Sequence, residues 1–418
     1  MKINFSDVLV LGAGVAGLAA ASKAKELGTK NVVLLDEKDD IGGVLPQCIH
    51  PGFGLHYYKE DLTGPEFAIK LYERVKGYGV EIFNSIYALE LLVKGKERII
   101  RAVGLKGLIE FRSKTVIFAT GARERHYFEI GIVGYRPIGV YTAGQAQTMM
   151  DLYGVMLGKE VVIIGSGDIG LILARRLALQ GASIKAVIEI LPYPGGSARN
   201  IQQCLIDFEI PLCISHKAMK IHGKKRVYGV TVGKVDENLR EIPGTEFEIK
   251  CDMIIVSTGL IPRVELLERS GVNLDPATRS VVVNELLETS TSGVYVAGNA
   301  LIINDLADSA AVQGELAAKS AVDFVQNGKD SSVCWKSVIK GRNIRCVVPQ
   351  LVSCQRDVSF YGRVVQPEEN VYLKIPEIQA QFHHLKVKPP EMFTFNINKN
   401  KLEKLKDNKI TVAIEHIK

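Results

Sequence analysis

The sequence predicts an α/β protein of two or three domains. Short apolar runs that suit buried strands alternate with helical segments through the first three quarters of the chain. The same order of strand, glycine-rich turn, helix, strand and acidic residue occurs twice, about 150 residues apart. From about Ser331 the chain becomes strand-rich and punctuated by proline, which predicts a small β-rich C-terminal domain.

The first copy of the pattern begins with an apolar strand at 8–11 that leads into Gly12, Gly14 and Gly17. Gly12 permits the tight turn, Gly14 lets the backbone approach a pyrophosphate, and Gly17 lets the helix pack closely on the strand. The following strand ends on Asp36, 19 residues after Gly17, close to the spacing of about 20 expected for a carboxylate on a ribose hydroxyl. This combination predicts a dinucleotide-binding, Rossmann-like fold rather than an ordinary βαβ unit.

The second copy begins with a strand at 161–164, followed by Gly165, Gly167 and Gly170, and it ends on Glu189, again 19 residues after the last glycine. Two complete copies predict two bound nucleotides, the arrangement needed to pass a hydride between a flavin and a nicotinamide.

The two acidic residues bear on which nucleotides bind. Asp36 and Glu189 would both repel a 2′-phosphate, which favours FAD in the first fold and NADH in the second. Arg199 lies within reach of the same loop and could bind such a phosphate, so NADPH remains the less favoured alternative.

Other elements are predicted between and after the two copies. Thr63-Gly-Pro-Glu66 has the form of a capping box, and the helix it starts should run to about Lys76. Separate strands are expected at 80–83, 86–93, 99–105, 107–111 and 115–119, then at 253–257 and 293–297, before a helix at about 309–325.

Composition and charge exclude several classes of protein. The chain has 418 residues, of which 47% are hydrophobic and 23% charged. Its longest apolar run, 8–21, is too short to span a bilayer, and the segment before it lacks the basic start of a signal peptide. The seven cysteines include no C-x-x-C pair, so we predict no metal site, no membrane span and a cytoplasmic location.

The net charge of +6 resides in the tail, which from Ser331 onward holds 15 basic and 8 acidic residues. A solvated lysine-rich face explains this excess, and a docking surface for a partner protein is the alternative. Basic and aromatic residues do not interleave as in a nucleic-acid-binding motif, so no nucleic-acid partner is expected.

Five short motifs carry a resemblance to the pyridine-nucleotide-linked flavoprotein reductases with two dinucleotide-binding domains. They are GAGVAG at 12–17, ATG at 119–121, GSGDIG at 165–170, STG at 257–259 and VYVAGNA at 294–300, so the resemblance covers about residues 5–327. More narrowly, IGGVLPQCIHPGFGL, ATGARER and GNALIINDLAD are similar to the FAD- and NAD-dependent subunits that accompany glycerol-3-phosphate or amino-acid dehydrogenases in bacteria.

The resemblance implies that the second fold is inserted in the first. An FAD domain would comprise residues 1–122 and 263–330, an NAD(P) domain residues 123–262, and the β-rich domain residues 331–418. Many family members have an aspartate after Gly298 that binds the flavin's ribityl chain, whereas here the residue is Asn299, whose amide can still form that hydrogen bond. The helix after Asn299 would direct its N-terminus at the flavin pyrimidine and stabilise the anionic reduced ring.

Candidate cofactor residues follow from the fingerprints and the resemblance. Those for FAD are Gly12, Gly14, Gly17, Asp36, Glu37, Gly43, Thr120, Gly121, Gly298, Asn299 and Val312. Those for NAD(H) are Gly165, Gly167, Asp168, Ile169, Glu189 and Gly259.

The redox residues depart from those of the disulfide reductases. In that family a C-x-x-x-x-C pair follows a GG, and counting from Gly43 its places fall on Leu45 and His50. Cys48 remains as the single candidate thiol; it either forms a sulfenic acid that reduces peroxide or oxygen, or is a small buried hydrophobe. His50 and His56 either carry protons or are hydrogen-bonded structural residues.

Arg123 and Arg125 leave a similar choice open. They either bind cofactor phosphates or an acidic substrate, or form an interdomain salt bridge.

We therefore expect a flavoenzyme that exchanges hydride between NADH and FAD and relays electrons to or from the substrate-oxidising subunit of a dehydrogenase. The alternatives are a self-sufficient NADH oxidase or peroxidase that uses Cys48, and a flavin-binding scaffold without catalysis. Assembly as a homo-oligomer is left open.

Overall fold

The computed structural model describes residues 2–328 and 332–416. The chain forms two compact units: unit 1 comprises Met1–Ala122 and Pro262–Lys418, and unit 2 comprises Arg123–Ile261. Both units contain parallel sheets with helices, which confirms the predicted α/β class and Rossmann-like folds. The boundary predicted between residues 330 and 331 lies outside the described residues, and the division into three domains stays a prediction.

Eight α-helices occur in the described residues: α1 Val15–Glu26, α2 Gly64–Gly77, α3 Ala143–Asp151, α4 Asp168–Leu179, α5 Ala198–Ile201, α6 Glu265–Arg269, α7 Ala307–Asn327 and α8 Lys399–Leu402. The predicted capping box is confirmed at the start of α2, where Thr63 N donates to Glu66 Oε2 at 2.8 Å and Glu66 N donates to Thr63 Oγ1 at 3.5 Å. None of the described helices combines the length and apolar character needed to cross a bilayer.

The central sheet of unit 1 has seven strands. Six lie in the spatial order Glu81–Phe83, Val32–Leu35, Lys2–Leu11, Gly107–Phe118, Glu97–Gly104 and Tyr87–Lys94, and Val294–Val296 also pairs with Gly107–Phe118. Lys2–Leu11 runs parallel to both neighbours, with Val8 opposite Val32 on one side and Thr115 on the other. The carboxyl ends of these strands therefore meet at one edge of the sheet, where such folds bind nucleotides.

One strand prediction in this sheet was wrong. The segments 107–111 and 115–119 form a single strand, Gly107–Phe118, because the polar residues between them are paired on both sides. Arg112 and Ser113 lie opposite Phe5 and Ser6 of the first strand, and Ser113 also lies opposite Arg98. Backbone pairing thus extends the strand through residues whose polarity predicted a break.

Unit 2 contains two sheets of four or five strands. A parallel sheet has the order Val140–Thr142, Met253–Val256, Glu160–Ile164, Ser183–Ile188 and Leu212–Cys213. The second sheet has the order Val133–Gly134, His216–His222, Gly229–Lys234 and Phe247–Lys250.

The C-terminal region is built from two further sheets. One contains Leu351–Val352, Lys336–Lys340, Lys409–His416, Glu368–Ile375 and Ala380–Val387, and the other contains Ile344–Val348, Val358–Val364 and Phe393–Ile397. These sheets enclose their own apolar core around Phe360, Leu373 and Ile414. Val348 and Tyr361 instead pack into the core of the first Rossmann-like fold. The region is thus strand-rich, as the sequence predicted.

Candidate nucleotide-binding sites

The three glycines of the first glycine-rich turn differ in their surroundings. The fold requires two of them, and the third faces open space. Gly12 has φ +101°, and a Cβ there would lie 2.4 Å from the Ala119 carbonyl oxygen. A Cβ on Gly17 would lie 1.7 Å from the Gly12 carbonyl oxygen, so neither position accepts a side chain. At Gly14, the N-cap of α1, the nearest atom to an added Cβ is Gly43 Cα at 3.8 Å.

A second glycine turn completes this site. Gly42 N donates to the Ala13 carbonyl oxygen at 2.9 Å, and a Cβ on Gly43 would lie 2.9 Å from Gly14 Cα. Two backbones without side chains therefore meet at the start of α1, where free N–H groups and the helix dipole favour an anion. This cradle fits the pyrophosphate of FAD.

The two acidic residues after the second strand have different partners. Asp36 is buried, and its carboxylate accepts from Ala13 N at 2.5 Å and from Lys38 N at 2.8 Å, so it lies at the glycine turn. Glu37 instead forms a two-point ion pair with Arg263, with Nη2 to Oε2 at 2.9 Å. The hydrogen bonds from Arg263 lower the pKa of Glu37. Of the two, Asp36 is the better placed to bind a ribose.

Thr120 and Gly121 lie where the chain leaves the central sheet. Thr120 Oγ1 donates to the Arg263 carbonyl oxygen at 2.7 Å, and Arg263 N donates to the Gly121 carbonyl oxygen at 3.0 Å. Gly121 has φ +68°, and no atom lies within 4 Å of a Cβ built there. The outgoing and returning segments are thus fixed to each other within unit 1.

The turn at Gly298 is joined to α7 by a buried amide network. Gly298 N donates to Gln313 Oε1 at 3.1 Å, and Gln313 has no exposed surface. Asn299 Oδ1 accepts from Asn304 N at 2.9 Å, so this amide supports its own turn. Binding of a ribityl chain by Asn299 stays a prediction.

Helix α7 crosses α1 at close range and leaves a candidate flavin contact exposed. A Cβ on Gly314 would lie 2.1 Å from the Ala16 carbonyl oxygen, which lets the two helices approach. Val312, one of the predicted FAD residues, is 49% exposed on α7.

The candidate redox loop carries one thiol. Cys48 is partly buried and its thiol donates to the Val44 carbonyl oxygen at 3.3 Å. Leu45 is a buried core residue, and His50 Nδ1 lies 2.9 Å from the Pro51 carbonyl oxygen. All seven cysteines are present as thiols rather than in disulfides, and the described residues include no cluster of three His, Cys, Asp or Glu that could hold a metal.

Asp308, which was not among the predicted site residues, holds the end of this loop. Its buried carboxylate accepts from Gly54 N at 3.1 Å, His56 N at 2.9 Å and Tyr57 N at 2.8 Å. More than 250 residues separate these partners, so no local pattern signals the contact. The His56 side chain, a candidate proton carrier, belongs to a segment that is fixed at its backbone.

The glycine-rich turn of unit 2 also contains two glycines that the fold requires and one that faces open space. Gly165 has φ +100°, and a Cβ there would lie 2.1 Å from the Ser257 carbonyl oxygen. A Cβ on Gly170 would lie 2.7 Å from the Gly165 carbonyl oxygen, whereas Gly167 and Gly259 have no atom within 4 Å of an added Cβ. The open position at Gly167 corresponds to Gly14 of the first turn.

The acidic residues of unit 2 secure its glycine turn. Glu189 is buried, and its carboxylate accepts from Ser166 N at 3.0 Å, Ser166 Oγ at 2.5 Å and Leu191 N at 2.9 Å. Asp168 accepts from Ser197 N at 2.8 Å and Asn200 Nδ2 at 2.6 Å.

Asp168 thus joins the start of α4 to the loop after Glu189. Ile169, the next candidate, is 43% exposed.

Unit 2 also has a double-glycine turn, Gly195 and Gly196, that was not among the predicted site residues. Its spacing from Glu189 could have revealed it. Asp36 is followed after six residues by Gly42 and Gly43, and Glu189 is followed after six residues by Gly195 and Gly196. Gly195 N donates to Ser166 Oγ at 2.8 Å, and its Cβ would lie 3.6 Å from Gly167 N. Both units therefore place a double-glycine turn against the glycine-rich turn.

Arg123 and Arg125 have partners within unit 2. Arg123 forms two 2.9 Å hydrogen bonds with the Glu129 carboxylate, and these lower the pKa of Glu129 to about 2. Arg125 Nη2 donates to the Glu129 carbonyl oxygen at 3.3 Å. A structural ion pair therefore accounts for Arg123, although it is not an interdomain one.

Comparison with known proteins assigns the family. Residues 6–322 match the sequence profile of the pyridine nucleotide-disulphide oxidoreductases. This chain belongs to that family. It is an FAD-dependent pyridine nucleotide oxidoreductase, which confirms the predicted enzyme class and the predicted use of FAD with NAD(P)H.

The relatives differ in what they act on. One of the subunits of the opine oxidase of Agrobacterium tumefaciens is 27% identical over 342 residues, which cover 76% of this chain and 66% of that relative. Thioredoxin reductase of Bacillus subtilis is 26% identical, over 70% of this chain and 86% of the relative. The crystal structure of T. acidophilum thioredoxin reductase superposes with a TM-score of 0.65 at 26% identity, covering 78% of this chain and all of that one.

Proposed function

We propose that this chain carries electrons between NADH and a second protein, with FAD as the intermediate carrier. The observation that supports this most strongly is the replacement of the dithiol. Its two expected places hold Leu45, which is buried, and His50, while the thiol of Cys48 donates to its own turn. The chain therefore lacks the dithiol that would exchange with a disulfide substrate. We infer that the electrons of the reduced flavin pass to an acceptor of another kind, on a second protein.

The proposed roles follow from the geometry of each turn. Gly14 and Gly43 leave a cradle for the FAD pyrophosphate, and Gly167 leaves the corresponding space for NADH. Asp36 and Glu189 each present a buried carboxylate at a glycine turn, where it would bind a ribose and repel a 2′-phosphate. When bound, the two cofactors supply the hydride chemistry, and the protein orients them.

The proposed partner is the substrate-oxidising subunit of an amino-acid or glycerol-3-phosphate dehydrogenase. The opine oxidase relative is by name one component of a larger oxidase, which supports a role of this kind. The similarity of the IGGVLPQCIHPGFGL and GNALIINDLAD segments to such dehydrogenase subunits points the same way.

A reoxidation experiment tests the proposal. The FAD-loaded protein is reduced with NADH under anaerobic conditions and then mixed with glutathione disulfide, lipoamide, peroxide, or an artificial dye acceptor. We expect rapid reoxidation by the dye and slow reoxidation by the disulfides and peroxide. Rapid turnover with a disulfide, or oxidation of an organic substrate by this chain alone, would refute the proposed relay.

A second function is favoured by the position of Cys48. Its thiol is partly exposed in the loop between the Gly43 turn and α2, so peroxide could reach it. In that case peroxide would reoxidise the NADH-reduced protein rapidly, and Cys48→Ser would abolish that reaction.

A further inference from the structure

Helix α7 holds the loop after Cys48 through two carboxylates on one face. Asp308 lies in the first turn of α7 and Glu315 lies seven residues later, which is about two turns. Glu315 Oε1 accepts from the Tyr57 hydroxyl at 2.5 Å and from Arg74 Nη1 at 2.9 Å. Burial and the neighbouring Glu315 raise the pKa of Tyr57, which keeps its hydroxyl a donor. Residues 54–57 are therefore fixed to α7 at both ends.

Asp308 differs from Glu315 in that it forms no ion pair within the described residues. Glu315 is paired with Arg74, whereas the described partners of Asp308 are the backbone amides of Gly54, His56 and Tyr57. Asp308 is only 3% exposed. Three neutral N–H donors converge on this carboxylate at the first turn of α7, and none of the described ion pairs offsets its charge.

This charge opposes the effect expected of the helix itself. The N-terminus of a helix carries a partial positive charge of about half a unit, which favours a reduced, more negative flavin. A buried carboxylate in the first turn outweighs that partial charge. Gly54 supports the arrangement, because its φ of +82° allows the tight turn that brings the loop amides together.

We propose that Asp308 is a positioning residue that fixes residues 54–57 against the first turn of α7, and that its charge lowers the reduction potential of FAD bound to the first fold. The inference relies on FAD binding, which the family assignment supports, and on the placement of the flavin near α7. It requires neither NADH nor a partner protein.

The decisive variant is Asp308→Asn, with Asp308→Glu to restore the charge. Asp323→Asn is the matched control, because Asp323 lies on the same helix about 22 Å further along and is exposed. The potential is measured by equilibrating the FAD-loaded protein with a reference dye. Removal of one nearby buried charge is expected to raise the ratio of reduced to oxidised flavin on the order of tenfold at a fixed ambient potential. For a two-electron couple this corresponds to about 30 mV.

Hydrogen exchange provides a second readout that does not depend on the flavin. The amides of Gly54, His56 and Tyr57 should exchange faster in Asp308→Asn than in the wild type, in protein with or without FAD. Asp308→Glu should move the potential back towards the wild-type value, and Asp323→Asn should leave both measurements unchanged. If Asp308→Asn does not fold, Asp308→Ser provides the neutral variant.

Two results would overturn the inference. One is a potential in the neutral variant equal to that of Asp323→Asn. The other is wild-type exchange at residues 54–57. If the neutral variant does not retain FAD, exchange in the apo proteins decides the positioning role. Failure here leaves the proposed electron relay untouched, because neither measurement involves NADH or an acceptor.

Discussion

Substitution of Gly167 by alanine tests whether the open space at the second glycine turn is reserved for a nucleotide. Gly167 is the N-cap of α4 with φ −67° and ψ 165°, and an added Cβ would meet no atom within 4 Å. Loss of glycine's freedom in the unfolded chain stabilises by about 0.4–1 kcal/mol. Alanine at an N-cap costs a similar amount. The free energy of unfolding should therefore change by less than about 1 kcal/mol.

The same methyl group should impair nucleotide binding. It would occupy the space through which a pyrophosphate approaches the backbone, and overpacking of this kind costs about 1–3 kcal/mol. The Kd for NADH in Gly167→Ala should therefore rise by about 5- to 150-fold. The assay is the dependence of the flavin bleaching rate on NADH concentration under anaerobic conditions, together with thermal unfolding of the apo protein.

Gly165→Ala is the control for a glycine that the fold requires. Its φ of +100° and the 2.1 Å approach of an added Cβ to the Ser257 carbonyl oxygen should destabilise the protein by more than about 3 kcal/mol. A Gly167→Ala protein that binds NADH with the wild-type Kd would refute the assignment of this turn.

Three further predictions concern single side chains. Glu189→Gln keeps an acceptor for Ser166 N but removes the charge that would repel the 2′-phosphate of NADPH. The preference for NADH over NADPH in kcat/KM should therefore fall about tenfold. An unchanged preference would contradict the role of Glu189. Cys48→Ser should bleach with NADH within about twofold of the wild-type rate, because a hydroxyl can replace the thiol as donor; loss of bleaching would show that the thiol takes part. Burial raises the pKa of Cys251 to about 12, so at pH 8 only about one molecule in 10⁴ carries the thiolate. Iodoacetamide should therefore label the exposed Cys334 long before Cys251, whose labelling should increase only as the pH rises towards 12. Mass spectrometry after timed quenching gives the order of labelling, and labelling of Cys251 before Cys334 would contradict the prediction.

Local patterns in the sequence were sufficient to predict much of the fold. The two glycine-rich turns and the capping box at Thr63 each depend on residues close together in the chain, and the structure contains all three. The break expected between 111 and 115 was wrong because pairing with Phe5 and Ser6, which are distant in sequence, determines that strand.

The parts of the site that escaped prediction depend on contacts between distant segments. Asp308 looks like an ordinary acidic residue at the start of a helix, and only the folded chain brings the amides of residues 54–57 to it. The ion pair of Glu37 with Arg263 joins residues 226 apart in the chain, so no local pattern signalled it, and cofactor binding by Glu37 stays a prediction. The double glycine at 195 and 196 could have been found, since its spacing from Glu189 repeats that of Gly42 from Asp36.

The central claim is that NADH bound by the second fold reduces FAD bound by the first. An anaerobic titration of the FAD-loaded protein with NADH and with NADPH, followed by the flavin absorbance, tests it most directly. We predict complete bleaching by about one equivalent of NADH per flavin, with NADPH much slower. A yellow protein that neither nucleotide bleaches would contradict the claim and favour a flavin-binding scaffold.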